Sequence, residues 1–199
     1  MPEIVFASSN RDKFRELESM LCPSGVVLLF GPDLPETGGA KEVEENYPSY
    51  AGNAMHKAHV WARVLGLPAL ADDSGLEVRN LDWEPGVRSA RVAPDDSGRV
   101  SWLLRRMKGK SDRFARFVAA LALVVPSKGE WTLTEGIWGG EISQEALGSG
   151  GFGYDPVFIP RGYSKTIAEL GPEVKSRISH RAIAARALSC MLENRSMIK

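Results

Sequence analysis

The sequence has few cysteines, no long apolar run and no excess charge of either sign. Its 199 residues include two cysteines, Cys22 and Cys190, which cannot form the disulfide framework of a small secreted domain and which we expect to be packed. The longest apolar run, 117–125, has nine residues, whereas a membrane helix needs about twenty. Basic and acidic residues number 25 each, so no global field attracts nucleic acid or a membrane. We expect a cytoplasmic protein that binds any anion through local groups.

Motifs of several well-known enzyme classes are also missing. The sequence contains no P-loop, no G-x-S-x-G, H-E-x-x-H or C-x-x-C motif, and no dinucleotide-binding G-x-G-x-x-G immediately after a strand. The usual supports for hydride transfer, zinc hydrolysis and serine esterase chemistry are therefore lacking. His56 and His59 lie three positions apart, but no third ligand follows at zinc spacing, so we interpret both as structural.

The length and the alternation of elements indicate one mixed α/β domain spanning residues 1–199. A chain of this size with 43% apolar residues can bury a normal core. Strands and helices interleave, but strands predicted at 113–125 and 131–142 flank a short turn and form a hairpin. The sheet is therefore not all parallel, and two lobes with a cleft are expected.

The first candidate site is the polar segment Ser8–Lys13, which follows a predicted strand at 4–7 and opens a helix. Free backbone N–H groups and the helix dipole favour a phosphate at such a position, and Lys13 adds a positive charge. The alternative is that Ser9 or Asn10 only caps the helix while Lys13 is solvated.

The second candidate is a pair of carboxylates, Asp72 and Asp73, placed at the end of a predicted strand at 69–71 and followed by Ser74. Ligands bind at strand ends in α/β sheets. Because neighbouring strand residues face opposite ways, we expect one acid to face the site and the other to support the loop. The acid that faces the site could hold Mg²⁺, accept a proton from water, or do both in turn. The alternative is an acidic turn.

Weaker candidates lie around the second predicted helix, 49–65. Glu44 and Glu45 precede it and Lys57 lies on it. Acids before a helix also arise from dipole complementarity, and helical lysines are usually solvated.

The C-terminal third contains two further candidates. A glycine-rich segment, 148–154, carries Phe152 and Tyr154 and is followed by Asp155; it could bring backbone and an aromatic face close to a planar ligand, or could be a hairpin loop that closes the core. The segment 175–181 concentrates hydrogen-bond donors that suit phosphates or a base edge. The alternative is that the segment caps a helix and that its basic side chains are solvated.

Six motifs, in order from residue 8 to residue 181, resemble the inosine/xanthosine triphosphate pyrophosphatase family. They are Ser8-x-Asn10-x-x-Lys13, Asn53-Ala54-x-x-Lys57-Ala58, Ala71-Asp72-Asp73-Ser74-Gly75-Leu76, Pro85-Gly86-Val87-x-Ser89-Ala90-Arg91, Gly150-Gly151-Phe152-Gly153-Tyr154-Asp155-Pro156 and Ser179-His180-Arg181. The resemblance implies a homodimer of elongated α/β subunits that uses Mg²⁺ to hydrolyse ITP, dITP and XTP to the monophosphate and pyrophosphate.

The same resemblance implies roles for individual residues. Asp73 would be the general base and a metal ligand, with Glu45 or Glu44 as a second acid near the metal. The implied substrate-binding residues are Ser8, Ser9, Asn10, Arg11, Asp12, Lys13, Lys57, Ser74, Phe152, Gly153, Tyr154, Asp155, Lys175, His180 and Arg181.

The chain departs from the family pattern at one position. The family usually has Glu directly before the Asn-Ala of the second helix, where this chain has Gly52. If that acid binds the metal in the family, Glu44 and Glu45 must suffice here.

Two other functions remain open from the sequence. One is a Maf-like pyrophosphatase acting on dTTP or UTP, which shares a similar opening loop but is disfavoured by the motifs at 152–155 and 179–181. The other is a nucleotide-binding regulator without catalysis, which the presence of Asp73 disfavours.

Overall fold

The fold is mixed α/β, as the sequence predicts. The computed structural model describes residues 3–35, 37, 40 and 43–195. The strands are β1 (Glu3–Phe6), β2 (Val27–Phe30), β3 (Ala69–Val78), β4 (Phe114–Val125), β5 (Glu130–Ile142) and β6 (Phe158–Pro160). They form one sheet in the order β2-β1-β3-β4-β5-β6, with β1 parallel to β2 and β3, and β6 antiparallel to β5.

Six α-helices accompany this sheet within the described residues. They are α1 (Arg11–Leu21), α2 (Tyr50–Leu65), α3 (Asp96–Met107), α4 (Ile167–Leu170), α5 (Pro172–Ile178) and α6 (His180–Arg195). The helices predicted near 49–65 and 180–194 are confirmed. None of these helices is long and apolar enough to cross a membrane.

The turn from β1 into α1 is built by Asn10. Its side chain accepts hydrogen bonds from the backbone N–H groups of Asp12 and Lys13, at 3.0 and 2.9 Å. This satisfies two of the donors that every helix leaves unpaired at its start. The predicted strand, polar loop and helix at the N-terminus are confirmed.

Helix α2 is capped at its N-terminus by Ser49, whose hydroxyl accepts from the N–H of Gly52 at 3.1 Å. Gly52 is the third helical residue, the position where a capping-box glutamate would stand. A Cβ atom at this glycine would lie 2.9 Å from Cβ of Tyr47. In this structure Tyr47 therefore occupies the space that a side chain at 52 would need.

Strand β3 corrects the expectation that Asp72 and Asp73 end a strand. The strand continues through both acids to Val78. Its second half is held by Ser89, whose Oγ accepts a hydrogen bond from the N–H of Leu76 at 2.8 Å. The chain therefore stays extended where the sequence predicted that the strand ends.

Two more features differ from expectation. The short helices α4 and α5 were not predicted. Cys22 and Cys190 are exposed rather than packed. Cys22 is the C-cap of α1, and Cys190 lies on an exposed part of α6. Of the loop predicted at 31–45, positions 36, 38, 39, 41 and 42 lie outside the described residues.

The chain divides into two compact units. The first unit comprises Met1–Asp73, Ala119–Gly136 and Arg181–Lys199, and the second comprises Ser74–Val118 and Ile137–His180. In the first unit, β1, β2 and β4 pack with α1 and α6 around fully buried apolar residues: Ile4, Phe6, Leu17, Leu21, Leu70, Leu121, Leu123 and Leu188. In the second unit the core includes Leu76, Val78, Leu103, Met107, Phe117, Trp138, Val157 and Phe158.

Candidate functional site

Lys13 is the residue of the predicted phosphate loop that reaches the sheet. Its ammonium lies 2.5 Å from Oδ1 of Asp72 on β3. Arg11 instead pairs with Asp33 at 2.6 Å on an exposed surface. Asp12 faces Arg15 at 3.4 Å, also exposed. The loop therefore presents Lys13 inward, while its neighbouring charges are engaged at the surface.

Asp72 is fully buried between two cations. Besides Lys13, it accepts a hydrogen bond from Nε of Arg181 at 3.0 Å. Burial by itself would raise the pKa of this carboxyl, but the charges of Arg181 and Lys13 hold it well below its usual range. Arg181 also donates to Glu16 on α1. Asp72 is thus ionised at neutral pH, and its role in the structure is to hold these two cations.

Asp73, the next residue, has the opposite environment. Oδ2 accepts from the side-chain amide of Asn53 at 2.9 Å, and Oδ1 lies 3.8 Å from Nζ of Lys57. Burial raises the pKa of Asp73, an effect that Lys57 and Lys13 oppose and Glu45 reinforces. A carboxylate with a raised pKa is suited to accept a proton near neutral pH.

Lys57 connects Asp73 to the acidic segment before α2. Its ammonium lies 2.5 Å from Oε1 of Glu45 and donates to the backbone carbonyl of Asp72 at 2.8 Å. A cavity of about 150 Å³ adjoins this group. It is lined by Ala7, Ser8, Ser9, Pro32, Ala40, Val43, Glu45, Lys57 and Trp61. The first unit therefore brings the phosphate loop, a lysine and two carboxylates to one place.

The residues fit a hard divalent cation in part. No group of three or more His, Cys, Asp or Glu side chains that could hold a metal ion occurs in the described part of the chain. Asp73 and Glu45, however, both approach the Lys57 ammonium, and Mg²⁺ commonly uses one or two carboxylates together with substrate phosphates and water. Glu44 is exposed and accepts from Asn46 at 2.6 Å. Glu45 is consequently the better candidate of the two glutamates.

The glycine-rich segment belongs to the second unit and surrounds Phe152. Oδ2 of Asp155 accepts from the N–H of Phe152 at 3.0 Å and from the Lys175 ammonium at 2.6 Å. The same ammonium lies 4.1 Å from the centre of the Phe152 ring. Tyr154 is buried, and its hydroxyl donates to the backbone carbonyl of Ser89 at 2.9 Å. Asp155 thus positions both the aromatic ring and the lysine.

His180 lies in the same unit and is almost fully buried. Its ring stacks on Phe117 at 4.7 Å between centroids and 11° between planes, and lies 6.4 Å from Trp138. Ser74 is half-buried in β3. The predicted substrate-binding roles of these residues remain predictions.

Four residues that build these arrangements were given no role by the sequence. Asn53 and Ser89 lie inside recognised motifs, so the motifs pointed to their segments but not to their partners. Glu16 gave no signal, because an acid on an amphipathic helix is normally solvated. Asp96 gave only the signal of a helix start, although its carboxylate accepts from the N–H of Gly153 at 2.7 Å.

Comparison with known proteins shows similarity along nearly the whole chain. The model of the Ham1 family matches residues 4–191. A dITP/XTP pyrophosphatase from Mycobacteroides abscessus is 44% identical over 96% of this chain and 95% of its own length. One from Bacillus subtilis is 42% identical over 97% and 98%.

Solved structures show the same fold. A Ham1 protein from Coxiella burnetii superposes with a TM-score of 0.85 at 37% identity, covering 98% of this chain and all of the other. The Ham1 protein of Staphylococcus aureus gives a TM-score of 0.82 at 35% identity, with 96% and 98% covered.

Proposed function

Because the chain belongs to the Ham1 family, we propose that it hydrolyses the non-standard purine nucleotides ITP, dITP and XTP to the monophosphate and pyrophosphate. The relatives from Mycobacteroides abscessus and Bacillus subtilis carry the name dITP/XTP pyrophosphatase. The observation that carries the proposal here is the buried Asp73 carboxylate, with its raised pKa, beside Lys57. Such a reaction removes these nucleotides from the pool.

In the proposed reaction, Asp73 orients and deprotonates a water molecule. Asn53 binds Oδ2, so Oδ1 is the atom that takes the proton. The water oxygen forms a bond to the α-phosphorus, and the bond from that phosphorus to the bridging oxygen of the β-phosphate breaks. Pyrophosphate leaves with the electron pair, and holding water in line with it lowers the barrier.

Negative charge grows on the leaving pyrophosphate, and the first unit contains the groups to offset it. Lys57 and Lys13 lie beside the two aspartates, and the positive end of the α1 dipole lies at the Ser8–Lys13 loop. We propose that Asp73 and Glu45 hold Mg²⁺ with the phosphates. When bound, the ion would neutralise phosphate charge and lower the pKa of coordinated water.

We propose that the purine is recognised in the second unit. Phe152 offers a ring for stacking, and Lys175, held by Asp155, and His180 supply donors for the oxygen at position 6. Adenine carries an amine at that position, so the donors of the protein would face the donors of the amine and would lack an acceptor. Unpaired buried polar groups support discrimination of roughly 10⁴. Arg181, whose guanidinium also binds Asp72 and Glu16, is proposed to contact the purine edge as well.

The family resemblance also supports a homodimer in the cytoplasm as a proposal. Large apolar side chains such as Trp83 and Ile137 are 40% and 54% exposed in the second unit. Light scattering should give twice the chain mass of 21.7 kDa. A mass of one chain would contradict the dimer.

The test of the function is product analysis by chromatography after incubation with Mg²⁺ and, separately, ITP, XTP, dTTP, UTP, GTP and ATP. We expect IMP and pyrophosphate from ITP, with ATP nearly unchanged. IDP and phosphate would place the attack on another phosphorus. Cleavage of dTTP without ITP would indicate the Maf-like alternative, and tight ITP binding without product would indicate a regulator.

A further inference from the structure

The glycine-rich loop 148–154 is anchored at successive residues. A Cβ atom at Gly150 would lie 2.9 Å from the carbonyl oxygen of Ala168 on α4, so the backbone packs directly on that helix. A Cβ at Gly151 would lie 2.0 Å from Oδ2 of Asp155, which also binds the N–H of Phe152. These anchors all come from chain close in sequence to the loop.

The tip of the loop has an anchor of a different kind. The N–H of Gly153 donates to Oδ2 of Asp96 at 2.7 Å, across 57 positions of sequence. Asp96 is the first residue of α3, and its other oxygen, Oδ1, lies 2.6 Å from Nη1 of Arg99. Because both oxygens are engaged, the carboxylate cannot rotate away without breaking a contact to a charged or backbone donor.

A cavity lies beside the tip of the loop, so few packing contacts support the tip on this side. This cavity, of about 340 Å³, is lined by residues of the loop and by Asp96, Ser97 and Val100 of α3. The loop is thus held on this side by a directed hydrogen bond rather than by close packing. Gly151 and Gly153 both have positive φ, at 76° and 64°, and glycines reorient easily once released.

We infer that Asp96 is a positioning residue for purine recognition: by binding the Gly153 N–H it fixes the orientation of Phe152, the neighbouring residue. The inference rests on the proposed function, in which Phe152 stacks on the base. Asp96 belongs to the second unit, whereas the proposed general base, Asp73, belongs to the first, and Asp96 acts through the loop. Removing the Asp96 carboxylate should therefore weaken binding of the purine equally in the ground state and the transition state. This raises KM and leaves kcat unchanged.

The test compares Asp96→Ala, Asp96→Asn and the control Asp95→Ala in the full chain. Asp95 is the N-cap of α3 and accepts from the N–H of Gly98 at 2.7 Å, so its variant weakens the same helix end without touching the loop. We expect Asp96→Ala to raise the KM for ITP roughly tenfold or more, as for a lost hydrogen bond to a charged group, with kcat within about twofold. Asp96→Asn, which can still accept from Gly153, should stay within about threefold of wild type in KM.

Hydrogen exchange measured by mass spectrometry on peptides covering 148–154 provides a second readout that needs no activity. Asp96→Ala should speed exchange in these peptides relative to both wild type and Asp95→Ala. Equal KM and equal exchange in the Asp96→Ala and Asp95→Ala variants would overturn the inference. If the wild-type chain does not cleave ITP, the proposed function is wrong, whatever Asp96 does. The hydrogen-exchange rates of the variants then decide separately whether Asp96 anchors the loop.

Discussion

Asp72 and Asp73 are adjacent in β3 but have opposite surroundings. Asp72 contacts two cations and stays ionised, whereas burial raises the pKa of Asp73. Alternation along a strand accounts for the difference, because neighbouring side chains face opposite sides of the sheet. One carboxylate is therefore available to hold charge in place, and the other to exchange a proton.

Replacing Asp73 by Asn tests its assignment as base. The amide is similar in shape but cannot accept a proton from water, so we expect kcat to fall by about 10² to 10⁴. Binding of ITP, measured by calorimetry, should change far less than kcat, and the melting temperature should change little. Turnover near the wild-type level would remove Asp73 as the base.

Replacing Asn53 by Ala tests how the pKa of Asp73 is set. Asn53 donates to Oδ2 and so favours the ionised form; without it the pKa, already raised by burial, should rise further. Because the proposed base works deprotonated, activity should fall as the pH drops through this pKa. The acidic limb of the profile of kcat/KM against pH should therefore move to higher pH. An unmoved limb in a variant that melts normally would contradict this mechanism.

Single residues were predictable where a motif specified them. Lys13, Lys57 and Asp73 do lie together in the first unit, as their motifs imply. The partners Glu16 and Asn53 were not predictable, because pairs such as Glu16 with Arg181 lie far apart in sequence, and no local pattern records them.

At the scale of elements, α2 and β3 together organise the proposed base. Asn53 and Lys57 are four positions apart, so they lie on one face of α2, and they approach the two oxygens of Asp73. The long elements were predictable from their periodicity. Helices α4 and α5, of four and seven residues, were not, because a helix this short has too few turns to show a repeat. The continuation of β3 through Ser74 and Gly75 depends on Ser89, which a local pattern cannot reveal.

The glycine-rich loop allows a paired test. Gly151 and Gly153 both have positive φ, so alanine strains the backbone at either position. Only at Gly151 would the new methyl also collide with Asp155, whereas nothing lies within 4 Å at Gly153. We expect Gly151→Ala to raise the KM for ITP more than Gly153→Ala does, and to lower the melting temperature further. Equal effects in steady-state kinetics and thermal melts would show that backbone strain alone matters.

At the scale of the whole molecule, the buried ion network makes stability depend on pH. The folded-state pKa of Asp72 lies well below its usual range, while the unfolded value is about 3.9. Between these values the unfolded chain binds more protons, so the stabilisation is present above about pH 4 and is lost as the pH falls. Acid should therefore unfold the protein partly through this residue.

Urea unfolding of Asp72→Asn measures this contribution. Removing the charge leaves Arg181 buried with one partner fewer, and we expect a loss of about 3–5 kcal/mol at pH 7. The dependence of stability on pH below about 4 should also become flatter. The exposed pair of Arg11 and Asp33 serves as control, since Asp33→Asn should cost no more than about 1 kcal/mol. Similar losses in both variants would contradict the role of the buried network.

The first unit is assembled from the beginning, middle and end of the chain, and this affects its synthesis. Arg181 binds Asp72, 109 positions earlier, and α6 completes the core around β1 and α1. On the ribosome, the β1 and α1 segments emerge long before α6 has been translated. Their apolar faces stay uncovered until the last helix has been made. A nascent chain that ends before residue 180 therefore contains Asp72, Asp73, Lys13 and Lys57 but lacks the helix that completes the core of the first unit.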